Sequence, residues 1–529
     1  MLVYTMLRWL ICFVALFLCS TASAEYSAGE TALHSGDYKL AYKIWSPLAN
    51  KGDPSSQTGL GTLFAFGFGV QQDLDEATKW FELAVAQGEY QAMSLLGEIY
   101  VGQGRYTDAE PLFKKSLEIV EQEFGPNHEN MPFILNSLGK LNTRQGRYKQ
   151  AQTYFERALR LSESLLGPDH LGSVYILTEL GLLYYELGLF KKARGMHQKS
   201  LSIAEDAVGA QHPSIATILN NLGLAYQSEG NYAEAEAHFN RSIEIAELVI
   251  GTDHAGIAPM LSNLGLLYQS QGRYFEAEEL YRRSLIIIES SLGSDHRDVS
   301  TILSNLGLIY QAQGRYEDAE QLYKKSLIIS EKVHGVEHAD FATRLNNLAL
   351  LYQRLGRHAE AVTVYEQALS IKEKVLGPNH PHVATIMNNI GLLYQAMGQY
   401  SEAERLYKRS LIVLKKRKRV NHPQFANSLN NLAFLYAEQN RFLEAVPLFH
   451  KALIIKEKIF SSGHPEVATV LANLSVAHQK LGNIKDSLNY ARQTVSILRE
   501  RASIKSAIGS SHLIENTTKE NYFIWHINA

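Results

Sequence analysis

Ser262-Asn263-Leu264-Gly265-Leu266-Leu267-Tyr268-Gln269-Ser270-Gln271-Gly272-Arg273-Tyr274-Phe275-Glu276-Ala277-Glu278 is one copy of a pattern that returns every 42 residues. Gly97, Gly139, Gly181, Gly223, Gly265, Gly307 and Gly391 are in register, and Ala349, Ala433 and Ser475 fill the remaining slots with small residues. Seven positions later, Gly104, Gly146, Gly188, Gly230, Gly272, Gly314, Gly356, Gly398 and Gly482 form a second column, with Asn440 the single replacement. Self-similarity at such a period marks a solenoid, in which each unit buries its apolar face only against its neighbours.

One unit reads as two helices. Ile386, Ile390, Leu393 and Tyr394 recur at the three-and-four spacing of an amphipathic helix, and Pro381 suits its first turn because proline presets φ and lacks an N–H. This is helix A, about sixteen residues long. Gly398 sits where a left-handed terminator is needed, and Ser401 with Glu404 predicts a capping box opening helix B. Helix B carries Ala403, Leu406, Tyr407, Leu411 and Leu414 on one stripe. Small residues at Gly391 and Ala403 allow the paired helices to approach closely.

These columns, Leu-Gly, then Tyr, then Gly-x-Tyr, then Ala with an aromatic four residues later, resemble the tetratricopeptide repeat, whose usual period is about 34 residues. The lengthened form, with Leu-Gly-Pro-Asn-His-Pro at 376–381 and Leu-Asn-Asn-Leu-Ala in helix A, is similar to the repeats of kinesin light chains and of many bacterial tetratricopeptide proteins. The resemblance covers residues 97–500 and implies an all-α fold, a right-handed α-solenoid of stacked antiparallel helix pairs. From 25 to 96 the period is 36: Gly52 pairs with Gly88, Gly61 with Gly97 and Trp45 with Phe81. This stretch resembles the Sel-one-like relative of the repeat.

Arg8 precedes the apolar run Trp9 to Cys19, and Ala22-Ser23-Ala24 has the form of a signal peptidase site, so residues 1–24 read as a cleaved signal peptide. The run is shorter than the roughly 20 residues that span a bilayer. Cys12 and Cys19 are the only cysteines and both lie in that segment, so a processed chain has no disulfide or cysteine metal site. The sequence points to an exported, periplasmic or secreted protein of bacterial type. The sequons at Asn240, Asn473 and Asn516 agree with that, because a glycan on Asn473 would sit within helix A. Periodicity fades after Arg501, and residues 501–529 read as a poorly ordered tail. The net charge of -3 gives no electrostatic footprint for nucleic acid.

Three sets of residues are candidates for function. His128, His170, His212, His254, His296, His338, His380, His422 and His464 are in phase. Equivalent positions in stacked helices lie about 8–10 Å apart, too far for ligands of one ion, so the row is read as bonding exposed carbonyls of the turns. No metal or other cofactor is expected. The second set is an amide ladder on helix A: Asn221, Asn263, Asn305, Asn347, Asn389 and Asn431 in one column, with Gln227, Gln269, Gln311, Gln353 and Gln395 in another. In the resembling family these columns, with Leu224, Leu266, Leu308, Leu350 and Leu392, lie on or beside a concave wall. Carboxamides donate and accept at once, which suits the backbone of an extended protein or peptide partner. The alternative is that the asparagines bond neighbouring helices and fix the stacking.

The third set is Lys415-Lys416-Arg417-Lys418-Arg419, read as a solvated helix C-terminus, with an acidic partner or membrane-surface contact as the sharper alternative. Enzymatic signatures are absent: there is no Gly-x-Ser-x-Gly elbow, phosphate-cradling loop or His-Glu-x-x-His helix. Glu276, Glu278 and Glu279 recur with the repeat and read as a solvated face. The expectation is a non-enzymatic scaffold, with a structural envelope-associated component as the alternative.

Overall fold

Each 42-residue period builds one pair of helices, and each helix packs on the next in sequence from Ala24–His34 to Tyr148–Leu166 and from Ala258–Ser270 to Ile484–Ala507. The computed structural model describes residues 24–417, 419–460 and 464–507, in which there are twenty-four α-helices and no strand. The chain is an all-α solenoid. The segment read as a signal peptide lies outside the described residues except for Ala24, which opens the first helix, Ala24–His34. The last helix, Ile484–Ala507, runs into the segment read as a tail, whose remainder lies outside the described residues.

The unit at Pro381 shows how the sequence makes the pair. Helix A spans Pro381–Ala396 with its proline in the first turn, and helix B spans Tyr400–Lys416. Between them Gly398 has φ +73°, and the Gln399 N–H returns to the Tyr394 carbonyl at 2.8 Å, closing the end of helix A. Asn440, which replaces glycine in this column, is the one described non-glycine with positive φ (59°), as asparagine tolerates best. The Gly391 column sets the approach of the helices. A Cβ there would lie 2.6 Å from the ring of Tyr407, and at Gly307 it would lie 2.7 Å from Tyr323. These pairs thus close on a fully buried aromatic of helix B, with burial of such a side chain contributing roughly 2–3 kcal/mol.

The capping box expected at Ser401 and Glu404 does not form. Helix B begins at Tyr400, with Gln399 at the cap and no side-chain cap bond. In most other repeats the cap residue is arginine, and Arg273, Arg315, Arg357 and Arg441 reach Glu276, Asp318, Glu360 and Glu444 three residues on. Glu404 is drawn elsewhere, to the following repeat.

Two compact units divide the chain. The first runs to Leu183 and includes Ala193–Asn221 and Arg241–Thr252. Here the glycine-on-ring device passes through the change of period: Gly59 faces Trp45, Gly61 faces Phe81, Gly97 faces Phe113 and Gly139 faces Phe155. The six extra residues per period appear in helix B, which has 13 residues in Leu74–Ala86 and 19 in Tyr148–Leu166. His197 takes the aromatic position against Gly181.

The second unit comprises Tyr184–Lys192, Leu222–Asn240 and the chain from Asp253. Tyr281, Tyr323, Tyr365 and Tyr407 are among its buried rings, with Phe239 and Phe449 in the same role. Its repeats are joined by a recurrent clamp that corrects the reading of Glu278 as part of a solvated face, whereas Glu279 is exposed as expected. Glu236 accepts from Tyr268 at 2.8 Å and from Arg273 at 3.2 Å, and Glu404 accepts from Tyr436 at 2.9 Å and from Arg441 at 3.2 Å. Glu278 does the same with Tyr310 at 3.0 Å, with Arg315 at 3.9 Å. The guanidinium also lies over the tyrosine ring, at 3.7 Å for Arg273 on Tyr268. A carboxylate of one repeat therefore holds two groups of the next.

Candidate functional site

The amide ladder divides into two kinds of contact. In the second unit Asn263, Asn305, Asn347, Asn389 and Asn431 are half-buried on helix A. Asn389 donates to Asn346 Oδ1 at 2.9 Å, and Asn473, in the same column, donates to Asn430 Oδ1 at 3.0 Å. Each bond joins the helix A of one repeat to that of the next. In the first unit Asn221 is buried, and its Nδ2 has no hydrogen-bond partner among the described residues.

The glutamines turn toward helix B. Gln269, Gln311, Gln353 and Gln395 accept through Oε1 from the hydroxyls of Tyr281, Tyr323, Tyr365 and Tyr407, at 3.4, 3.3, 3.3 and 2.9 Å. A tyrosine ring buried against glycine needs an acceptor for its hydroxyl, and the glutamine carbonyl supplies it. Burial pushes all four phenols well above their ordinary pKa. Gln227 tests the rule: its repeat has Phe239 in place of the tyrosine, and its Oε1 is buried without a hydrogen-bond partner among the described residues. Beside these columns Leu266 and Leu392 are 41% and 38% exposed, while Leu308 and Leu350 are half-buried. Helix A therefore presents a strip of leucine edges and carboxamides, with the glutamine carbonyls already engaged.

The histidine row works at the opposite pole from the one expected. No member relies on a turn carbonyl for its recurrent bond. Instead Nδ1 of each imidazole accepts a backbone N–H two residues on, from Asn130 after His128 through Asp298 after His296 to Glu466 after His464, at 3.0 to 3.3 Å. Unpaired donors at the start of helix A outweigh the carbonyls at the end of helix B, whose C-terminal glycine returns its own N–H to the helix. Except at His422, whose Nε2 meets the Arg419 guanidinium, the acceptor role fits the neutral imidazole with its proton on Nε2. Burial pushes the His128, His212 and His296 pKa values down, which favours that form.

The basic run is only partly a solvated turn. Lys415 and Lys416 are exposed, but Arg417 donates to the Asn379 carbonyl at 2.9 Å. Arg419 is buried, donating to the Glu186 carbonyl and meeting His422, all within the second unit. Lys418 lies outside the described residues.

Two features escaped the sequence reading. The Glu–Tyr–Arg clamp was visible only as an arginine column, Arg273, Arg315, Arg357 and Arg441, whose partners are 37 residues back rather than one period. The other is a gathering of His334, His338 and Asp340 in one loop, hidden because His334 stands outside the in-phase row.

A stack of helix pairs, most of them closed by glycine on a ring of helix B and joined at Asn389 and Asn473 to the helix A of the preceding repeat, defines a helical repeat protein. The chain belongs to the tetratricopeptide repeat family, whose model matches residues 88–164, 131–206, 175–248, 214–274, 256–332, 340–416 and 424–500. Among solved structures it is similar to BtubC (BKLC) from P. vanneervenii, at 24% identity over 44% of this chain and 91% of that one, with a TM-score of 0.35. It is also similar to the nearly identical TPR-like repeats of a Podosopora anserina kinesin light chain, at 28% identity over 39% and 97%, TM-score 0.33. A Rap protein complexed with Competence and Sporulation Factor matches at 13% identity over 70% and 98%, TM-score 0.48. No curated protein matches the sequence.

Proposed function

We propose that this chain is an exported, non-enzymatic scaffold that holds a protein or an extended peptide along the helix A strip of its repeats. The observation that carries the reading is the exposure of Leu266 and Leu392 beside a carboxamide ladder in a tetratricopeptide solenoid. Apolar edges next to groups that donate and accept fit the side chains and backbone of an extended segment. The asparagine bonds to neighbouring repeats and the glutamine caps on tyrosine leave amide hydrogens for a partner while fixing the orientation of the side chains. Export is supported by Arg8, the apolar run after it and the Ala22-Ser23-Ala24 motif. No helix among the described residues is long and apolar enough to cross a membrane. The 36-residue period supports a Sel-one-like origin for the first helix pairs. A membrane-surface role is weaker, because Arg417 and Arg419 are spent on internal contacts.

Leu266→Glu combined with Leu392→Glu tests the strip. Both side chains are exposed, so the melting temperature should hold while capture of partners from an envelope extract falls by about tenfold or more. Unchanged capture would remove the strip from the binding surface. Export is tested separately by N-terminal sequencing of the protein recovered outside the cytoplasm, expected to begin just after Ala24.

A further inference from the structure

We propose that His334, His338 and Asp340 form a binding site for a divalent transition metal ion of the zinc class. His334 ends the helix Tyr316–His334, His338 caps the helix Ala339–Arg354 and Asp340 lies in its first turn, so seven consecutive residues supply all three donors. One donor atom from each lies within 4.8 Å of the others. His334 Nε2 is 3.9 Å from Asp340 Oδ2, and His338 Nδ1 is 3.8 Å from it. Both separations are too long for hydrogen bonds, so the donors converge without satisfying one another. Two ligands on one tetrahedral ion at about 2.0–2.1 Å lie roughly 3.3–3.5 Å apart, which a small rotation of the exposed Asp340 side chain and a splay of the rings would reach.

The other loops explain what is particular here. The position of His334 is apolar in Phe124, Leu292, Leu376 and Phe460. Its phenyl members pack on the capping imidazole, tilted with centroids 4.7 Å apart for Phe124 on His128 and stacked at 4.2 Å for Phe460 on His464. His334 keeps the stack on His338, at 4.3 Å and 16°. Packing alone is met by phenylalanine; the imidazole adds a nitrogen directed at a carboxylate.

The chemistry selects the ion. Burial, ahead of the neighbouring charges, pushes both imidazoles toward the neutral form that ligates at neutral pH. The charges of Arg297, Arg344 and Lys372 reach these imidazoles, although the Arg344 guanidinium is held by Ser300 Oγ and Thr301 Oγ1 at 3.1 and 2.7 Å. They oppose any cation, and most of all a hard one held by charge alone, such as Mg²⁺ or Ca²⁺; the ion that the two imidazole nitrogens can hold against them is one of the zinc class. At His338 the ion would take the Nδ1 lone pair that now accepts the Asp340 N–H at 3.1 Å, releasing that exposed amide to water.

The test uses the full chain after chelator treatment, with ZnCl₂ titrated by calorimetry and CoCl₂ by its visible absorption. The expected result is one zinc equivalent bound, a tetrahedral cobalt spectrum and a melting temperature that rises with zinc. His334→Phe keeps the stack seen at Phe460 and should leave the metal-free melting temperature unchanged while weakening zinc by about tenfold or more; Asp340→Asn should weaken it as well. Zinc binding equal in wild type and His334→Phe, or no zinc bound by the wild type at 100-fold excess over protein, overturns the proposal.

Discussion

Tyr365 donates its hydroxyl hydrogen to Gln353 Oε1 at 3.3 Å across the two helices of one repeat. The ring is fully buried, so the phenol has no water to turn to, and the glutamine's main duty in this repeat is to satisfy it. Gln353→Ala should therefore destabilise the array by about 1–3 kcal/mol, the cost of a stranded buried hydroxyl. Tyr365→Phe should cost about 1 kcal/mol, and the double variant less than the sum of the two. Urea unfolding of the three variants measures the coupling. Additive effects would mean that the bond contributes nothing and that Gln353 is held for a partner alone.

The clamp between repeats gives a second prediction. Glu320 accepts from Tyr352 at 3.3 Å and from Arg357 at 2.8 Å, and it also pairs with Lys324 at 2.7 Å. Burial alone would raise its pKa, but the bonds from Lys324 and Arg357 outweigh that and hold it below the usual carboxylate range. Its contribution is thus present above about pH 4.5 and is lost as pH falls through the lower folded value. Glu320→Gln should cost about 1 kcal/mol, since the partners are partly exposed. Hydrogen exchange should show the loss concentrated in the helices Tyr316–His334 and Ala339–Arg354, because solenoid stability is the sum of nearest-neighbour terms. Faster exchange spread evenly over all repeats would contradict a local clamp.

These two contacts show what a repeat sequence discloses. The 42-residue phase, the helix pair, the left-handed glycine and the close approach at the small-residue column were all legible, because each depends on residues of one unit at short spacing; that the approach is onto an aromatic ring was not. The capping box at Ser401 misled because the chain leaving Gly398 is already turned into the helix at Tyr400, so the serine falls inside the first turn. The glutamine caps were not legible, since a column of glutamine and one of tyrosine twelve residues later look like two separate faces until the helices are folded together. The role of histidine was misjudged for a related reason: sequence places it between two helix ends and does not say which end lacks partners.

That role makes a pH prediction. Nδ1 of His128, His212 and His296 accepts a backbone N–H at the entry to helix A only while its lone pair is free, and burial depresses all three pKa values. A folded value below the unfolded 6.5 means that the stabilisation is complete above pH 6.5 and is lost as pH falls through the folded values. Each cap contributes about 0.5–2 kcal/mol. The melting temperature should be flat from pH 8 to 7 and fall below 6.5. Asparagine places Oδ1 close to where Nδ1 sits and does not titrate, so the triple change to Asn should preserve stability at pH 8 and reduce the slope between 6.5 and 5. An unchanged slope would assign the acid sensitivity to other groups.

His197 gives the sharpest case, because it is a histidine in a phenylalanine's place. Phe155 and Phe239, one period before and after, lie against Gly139 and Gly223 with the same geometry that His197 has against Gly181. His197 is 1% exposed, its Nδ1 has no hydrogen-bond partner among the described residues, and burial pushes its pKa down to about 3. A buried unsatisfied nitrogen costs about 1–3 kcal/mol, so His197→Phe should stabilise the protein by that order at pH 7. The advantage must grow in acid. Between the unfolded 6.5 and the folded value the wild type loses stability from this group as pH falls, and the variant does not. At pH 5 the gap should widen by about 2 kcal/mol, the 1.5 units below 6.5 at about 1.4 kcal/mol each. Urea unfolding at pH 7 and pH 5 reads both values. A variant less stable than wild type at pH 7 would show that the imidazole makes a contact phenylalanine cannot replace, and a gap independent of pH would show that His197 is not held neutral.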